Sequence, residues 1–332
     1  MITPLGTNAA QSCAALRAGI SGFRQLEGIV DAKGNPVHAG RITFLEAGTA
    51  GDLRFHMAVG CCTPAVTSVL DSEHARRPMH FSLICNEPQR PGAPPLSEGA
   101  ARDIALASGL GPHTKIHVYA GANAGGITAL CEAQDRIGRD QLTIEILLGV
   151  DSLLGLEVLR YLEQNGRLKA PSRPRGVIPG EAAACVVIQD KRMAARRGSD
   201  PYCAIESAVV ADEPSPVNSG RPCLGQGLTE AIRSALDRTG WRPAAISKIY
   251  CDLNGEEFRA HEWALACCRT LQKPRLLHPA DCIGDVGAAT FPLLLGMAAM
   301  GLRRKYEKEE KLMIFCSSDF GTRGAACVSS VN

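Results

Sequence analysis

The sequence predicts a layered α/β/α/β/α sandwich, and three observations carry that reading. Short β-type runs alternate with helical patterns along the whole chain, the signature of an α/β architecture. The order of these segments repeats between the two halves of the chain. Two helical segments, starting at Ala124 and Val286, consist mainly of small and apolar residues, so each needs cover on every side. A sheet above and a sheet below a central helical layer supply that cover.

In chain order the expected strands are 80–85 (HFSLIC), 115–120 (KIHVYA), 142–150 (LTIEILLGV), 182–189 (AAACVVIQ), 203–211 (CAIESAVVA), 247–253 (SKIYCDL), 311–318 (KLMIFCSS) and 325–331 (AACVSSV). Each is rich in β-branched or other apolar residues. Helical patterns lie between them at 97–110, with Ser97 as N-cap, then 124–137, 151–165, 227–239, 256–270 and 287–303. In the first half KIHVYA passes through a Gly-rich turn into the small-residue helix, then LTIEILLGVDS and AAACVVIQ follow. In the second, SKIYCDLNG leads through helices to the apolar helix from Val286, then to KLMIFCSSDFG and AACVSSV. Both closing strands hold the tetrapeptide AACV, at 183–186 and 325–328. The boundary falls in the loop 190–202 (DKRMAARRGSDPY), which divides the chain into halves 1–190 and 191–332.

Composition narrows the function classes. With 45% hydrophobic residues the chain can bury a large core, and its formal charge of +2 is dispersed apart from Lys191 to Arg197. A nucleic-acid or anionic-membrane partner needs a concentrated basic footprint, so neither is expected. The 14 cysteines include no C-x-x-C pair, which points to reduced, packed thiols in the cytoplasm and to no metal centre. The N-terminus has no basic region followed by an apolar run, so it does not read as a signal peptide. The longest uncharged stretch, 286–302, falls short of the ~20 residues of a bilayer span and reads as a helix buried in a globular core.

The stretch YAGANAGGITAL (119–130) has the build of an active-site turn without a reactive atom: strand, bend, then helix, with Asn123 at the tip. Four segments in order make the chain resemble the β-ketoacyl synthases of the thiolase superfamily. ITPLGTNAAQSCAALRAGISGF (2–23) is similar to the family's N-terminal segment, PGEAAACVVIQ (179–189) to its G-E-G-A strand, IGDVGAATFPLLL (283–295) to its I-G-H-x-G-A-A-G helix, and DFGTRGAACV (319–328) to its glycine-rich gate and final strand. The resemblance implies a thiolase-like five-layer sandwich of two duplicated halves.

It also implies what has been replaced. Condensation in the family needs a thiolate at a helix N-terminus, with histidines for decarboxylation and the oxyanion. By the resemblance Asn123 stands in the cysteine position, Asp252 and Asp285 in the positions of the two histidines, and Ala280 in that of the lysine. An amide is neither nucleophilic nor acidic near neutral pH. Cys131, two turns into the helix, reads as packed, and His261, beside Glu262 on a charged helix, as solvated. Asn123, Asp252, Asp285, Phe320 and Gly321 are expected around one pocket, with Glu256 or Glu257 near its mouth. Paired acids can do acid/base work or hold a hard metal. Each residue also has a structural role: Asn123 and Asp285 as N-caps, and Asp252 as acceptor for the loop before the helix at Glu256. Trp263 reads as a packing anchor.

The reading that follows is a non-catalytic ketosynthase-like protein, with no cofactor, working as an adaptor or partner subunit. The resemblance implies pairing through KIHVYAGAN, as a homodimer or as a heterodimer with another ketosynthase-like chain. Two settings fit by resemblance: an accessory factor for loading type VI secretion effectors, whose ketosynthase-like proteins share a D-L-N-G-E-x-x-R-x-x-E-W type of segment (252–263 here) and which the short chain and the double His-to-Asp change favour, or a chain-length-factor-like partner of an active synthase and its acyl carrier protein. An acyltransferase with altered residues and an acyl-chain sensor are the alternatives. The family's opening strand has no counterpart before ITPLG, and residues 24–80 hold little of the usual insertion. The start then lies late, or a sheet edge stays open for a partner.

Overall fold

The computed structural model describes residues 1–45, 49–70, 79–92, 96–140, 143–196, 198–217, 219–246, 248–306 and 310–331. Leu142, Arg197 and Ser247, which belong to segments expected from the sequence, lie outside them. The first sheet has the order β4 (Lys115–Ala120), β3 (Met79–Cys85), β5 (Ile144–Ser152), β6 (Glu181–Gln189). The second has the order β7 (Ala204–Asp212), β11 (Thr322–Ser329), β10 (Lys311–Ser317), β8 (Lys248–Cys251), β9 (Arg275–Leu277).

Helices fill three further layers. α4 (Ala122–Arg139) and α10 (Thr290–Arg303) lie between the sheets, and each touches strands of both. Outside the first sheet lie α2 (Ala50–Thr67), against β5 and β6, and α3 (Glu98–Ala107), against β4. Outside the second lies α7 (Gln226–Thr239), against β7 and β11 and beside α8 (Glu257–Thr270). This is the five-layer sandwich expected from the two small-residue helices.

The central layer depends on small residues. A Cβ on Gly126 of α4 would come 2.6 Å from the Phe291 ring of α10, so glycine there lets the two helices approach. Phe291 is itself fully buried, in one cluster with Ile127, Leu130, Leu294 and Ile314. Pro292 sits in the first turn of α10, where no intrahelical N–H bond is lost. Among the described residues no helix is long and apolar enough to cross a membrane. All 14 cysteines are free thiols, eight of them buried and only Cys268 exposed.

The structure departs from the sequence reading in several places. Between residues 24 and 80, of which 46–48 and 71–78 lie outside the described residues, the chain forms elements the sequence reading did not assign: the hairpin of β1 (Phe23–Val30) and β2 (Pro36–Gly40), and the 18-residue α2. The hairpin's Leu26, Val37 and Ala39 pack against Leu153, Leu159 and Leu162 near the site described below. α1 (Ala9–Arg17) was assigned no element from the sequence, and α6 (Lys191–Arg196) falls within 190–202, which the sequence places in a loop. Residues 151–152 extend β5, so the helix that follows, α5 (Leu156–Gln164), starts later than expected.

Phe291→Ala is expected to cost ~3–5 kcal/mol in urea denaturation, because the site sits between two sheets that cannot collapse onto the gap. A loss below about 1 kcal/mol would show that the central layer is not packed in this way.

Candidate functional site

β4 runs through Gly121 into α4, and the bend is made at Ala122, whose φ of 41° lies in the left-handed region that alanine rarely enters. The strained turn sets Asn123 in the first turn of α4. Its amide does not cap the helix, contrary to the sequence reading: the cap position is Gly121, and no side chain caps the helix there. Instead Asn123 Nδ2 donates to Asp285 Oδ1 at 3.2 Å and to Thr290 Oγ1 at 3.3 Å, all three residues being buried.

Asp285 accepts from three directions. Besides Asn123 it takes the Gly287 N–H on Oδ1 at 2.9 Å and Asn254 Nδ2 on Oδ2 at 2.8 Å. Contrary to the sequence reading it caps no helix: the cap position of the short turn 287–289 is Val286 and that of α10 is Ala289, neither with a side-chain cap. Gly287 has a φ of 51°, and a Cβ there would lie 2.1 Å from Asp151 Oδ2. That close approach lets Asp151 take the Ala288 N–H at 3.0 Å while holding Arg90 at 2.7 and 2.6 Å.

From Asn254 the bonds continue without a break. Asn254 Nδ2 also donates to Glu256 Oε2 at 2.9 Å, and Arg167 grips both Glu256 oxygens at 2.6 and 2.9 Å. Arg167 Nη1 then reaches Asp319 Oδ2 at 2.6 Å, and Asp319 Oδ1 takes Arg259 Nη2 at 3.2 Å. Arg259 Nη1 ends the chain on Asp252 Oδ2 at 2.6 Å and on the Ser317 carbonyl at 2.7 Å. Asn123, Asp285 and Asp252 are thus joined through Asn254, Arg167, Asp319 and Arg259, to none of which the sequence reading gave a role in the site. Asp252 serves Arg259 and the Ser317 N–H, at 2.7 Å, rather than the loop preceding its helix. Its Oδ1 has no partner, and burial pushes its carboxyl up to about 6, against the pull of Arg259.

Little space is left. Asn123, Asp285, Arg90, Arg167, Arg259, Asp319 and Phe320 line a cavity of about 40 Å³, enough for roughly one or two waters. Small-molecule sites usually run to about 300–1,000 Å³. Among the described residues neither a cysteine nor a histidine lines it. Glu87 also faces it, with its carboxyl pushed up by burial and accepting from Ser318 Oγ at 2.5 Å. Asp252 and Gly321 are not on its wall; Gly321 offers its carbonyl to the Glu213 N–H at 2.8 Å. Ala280 starts α9 (Ala280–Ile283) and lies off the cavity as well. A cavity of this size does not hold an acyl chain.

The remaining expectations divide. Cys131 packs against the central core and burial pushes its thiol up to about 11. Glu257 is exposed and pairs with Arg175 at 3.1 Å. His261 is exposed and shares with His278 a separate outer groove. Glu262, next to it, points the other way: it is fully buried against Arg323 at 2.7 Å. Trp263 stacks on Phe315 with ring centres 4.9 Å apart. The i, i+3 spacing of Glu256 and Arg259 was the one sequence signal for these ion pairs.

No family model matches the chain. Part of it is 32% identical over 143 residues to the actinorhodin polyketide putative β-ketoacyl synthase 2 of Streptomyces coelicolor, a match covering 39% of this chain and 33% of that protein. The chain thus spans about a third of the length of this relative. Among solved structures, the ishigamide ketosynthase/chain length factor superposes with a TM-score of 0.83 at 17% identity, covering 100% of this chain and 97% of that one. A type II polyketide ketosynthase solved with its acyl-carrier protein superposes with a TM-score of 0.81 at 13% identity, covering 99% and 97%. The chain has the thiolase-type fold of ketosynthases and chain length factors.

Two outcomes follow from the buried chain of bonds. Arg259→Met leaves Asp252 and Asp319 without their shared cation and is expected to cost ~3–5 kcal/mol in urea denaturation; a loss below about 1 kcal/mol would contradict the pairing. The Asp252 carboxyl titrates near 6 when folded and at the ordinary 3.8 when unfolded. The folded state therefore binds more protons between these values, and this group's contribution to stability falls as pH rises from about 4 to 6. Relative to Asp252→Asn, the natural protein should lose stability across that window; a difference that is flat or rises would overturn the assignment.

Proposed function

We propose that this protein is a non-condensing subunit that works by association, as a chain-length-factor-like partner of an active polyketide ketosynthase. The observation that carries the reading is the unbroken chain of hydrogen bonds and ion pairs from Asn123 to Asp252. It fills the place where the fold's condensing chemistry needs a thiolate, two imidazoles and room for an acyl chain. On this reading Asn123, Asp252, Asp285 and Ala280 are vestiges of a catalytic set, and Phe320 is a gate without a tunnel behind it.

Association has a ready surface. β4 is the edge strand of the first sheet and is only half-buried along Ile116–Tyr119. It is held stiffly from behind: the Tyr119 hydroxyl donates to Glu132 of α4 at 2.6 Å, and Arg136 grips Glu145 of β5 at 2.5 and 3.0 Å. A rigid strand edge favours pairing with another ketosynthase-like chain. Acyl carrier protein is the further partner this setting brings, since a ketosynthase of the same fold was solved with one. The relatives described above are polyketide proteins, which supports this setting over the loading of secretion effectors. An acyltransferase of the family's thiol-dependent kind would need a cysteine at the cavity, and among the described residues its wall offers carboxylates, guanidiniums, one amide and the Tyr161 hydroxyl.

The test is reconstitution with an active type II ketosynthase and acyl carrier protein from the same genome. Sedimentation should give a heterodimer, and hydrogen exchange should show the amides of 115–120 protected in the complex. Decarboxylation of malonyl-acyl carrier protein by the isolated chain, abolished by Asn123→Ala, would refute the proposal, as would a chain that stays monomeric beside the ketosynthase.

A further inference from the structure

β3 and β4 bring together two imidazoles that the site above does not use. His80 and His117 lie on one face of the sheet, two positions apart in the register. His80 is buried and His117 half-buried, and His80 Nδ1 stands 2.9 Å from His117 Nε2. The ring planes differ by 11° and the ring centres are 5.1 Å apart. The two nitrogens are far closer than the centres, so they meet as an N–H···N hydrogen bond, with one nitrogen carrying the hydrogen and the other bare.

Such a pair can take one proton and stay whole, but a second breaks it. The first goes to the outer nitrogen of the donor ring and leaves a charge-assisted bond. The second must occupy the bare nitrogen, which sets two N–H groups and two positive charges against each other at the contact. The surroundings give that second proton little help. Glu145 of β5, fully buried, has an oxygen 3.7 Å from His80 Nδ1, but Arg136 of α4 already holds its carboxylate at 2.5 and 3.0 Å. Glu132 of α4 takes the Tyr119 hydroxyl of β4, and Arg136 reaches that hydroxyl at 3.2 Å and Ser82 Oγ of β3 at 3.4 Å. Lys115 of β4 opposes charge on both rings, whereas Asp140 beyond α4 favours it on His80 and Glu98 of α3 favours it on His117. Burial is the largest influence: it pushes His80 down to about 4 and lowers His117 from the ordinary 6.5 as well.

The consequence falls on the strand edge. Both imidazoles charge less readily in the fold than in the unfolded chain, so the contribution of the pair is full above about 6.5 and is lost as pH falls toward 4. A chain that pairs with β4 takes the remaining water from His117 and makes its charging costlier still. Protons and partner therefore compete. We propose that the His80–His117 pair is a proton-sensitive latch on the β4 edge: a partner pairs with β4 while the imidazoles share their hydrogen bond, and acid that charges both rings releases it. The inference rests on the partner-subunit reading above and adds its regulation.

The test follows the dissociation constant of the reconstituted ketosynthase complex from pH 7.5 to 5, beside the ring signals of His80 and His117 in the free chain by NMR. In the natural protein the constant should rise about tenfold per pH unit below about 6, one proton being taken up for each complex released. His117→Asn cannot take up that proton and should flatten the rise. A constant that ignores pH, or one that rises as steeply in His117→Asn, would overturn the latch and leave the partner reading standing. Absence of a complex at pH 7.5 would overturn both. Ring signals of the two histidines that titrate at the ordinary 6.5 in the free chain would also overturn the latch, whether or not the variant folds.

Discussion

A guanidinium taken out of water must be met by acceptors on every side, and Arg259, 5% exposed on the inner face of α8, imposes that requirement on the elements around it. Asp252 at the end of β8 and Asp319 beyond β10 must approach it, together with the Ser317 carbonyl. Asp319 then draws in Arg167, Arg167 draws in Glu256, and the Asn254 amide passes the demand to Asp285 and so to Asn123. No member can leave without exposing another buried polar group, so the loops that carry them are locked to each other by charge. Pairs of this kind contribute less to net stability than to fixing one arrangement, because desolvation offsets much of their attraction.

The same network decides what the site can do. A nucleophile elbow works by presenting an ionisable atom, unencumbered, to the positive end of a helix. Here the elbow keeps its strained bend at Ala122, but the side chain at its tip is an amide turned into the protein and bonded to Asp285 and Thr290. What remains outside is a cavity of about 40 Å³ and a half-exposed Phe320.

Much of the fold was legible because its cause is compositional. The helices from Ala124 and Val286 lack enough polar surface for any exposed face, so the sheets on both sides could be inferred from them. The assignment of Asn123, Asp252, Asp285 and Ala280 to catalytic positions of the family rests on resemblance alone. Their partners were not legible, because an ion pair such as Arg167 with Glu256 spans 89 residues and leaves no periodic trace. The cap assigned to Asn123 failed for a related reason: caps are judged from local spacing, whereas Asp285, 162 residues away, competes for the amide and wins. The hairpin of β1 and β2 was missed since its strand Phe23–Val30 is largely exposed and shows no apolar alternation.

The central claim, that the condensing site is closed rather than re-equipped, is tested most directly by intact-mass spectrometry of the protein after incubation with malonyl- and acyl-thioesters. An unchanged mass is the predicted result. A gain equal to an acyl group, carried by the natural protein and absent in Asn123→Ala, would contradict it.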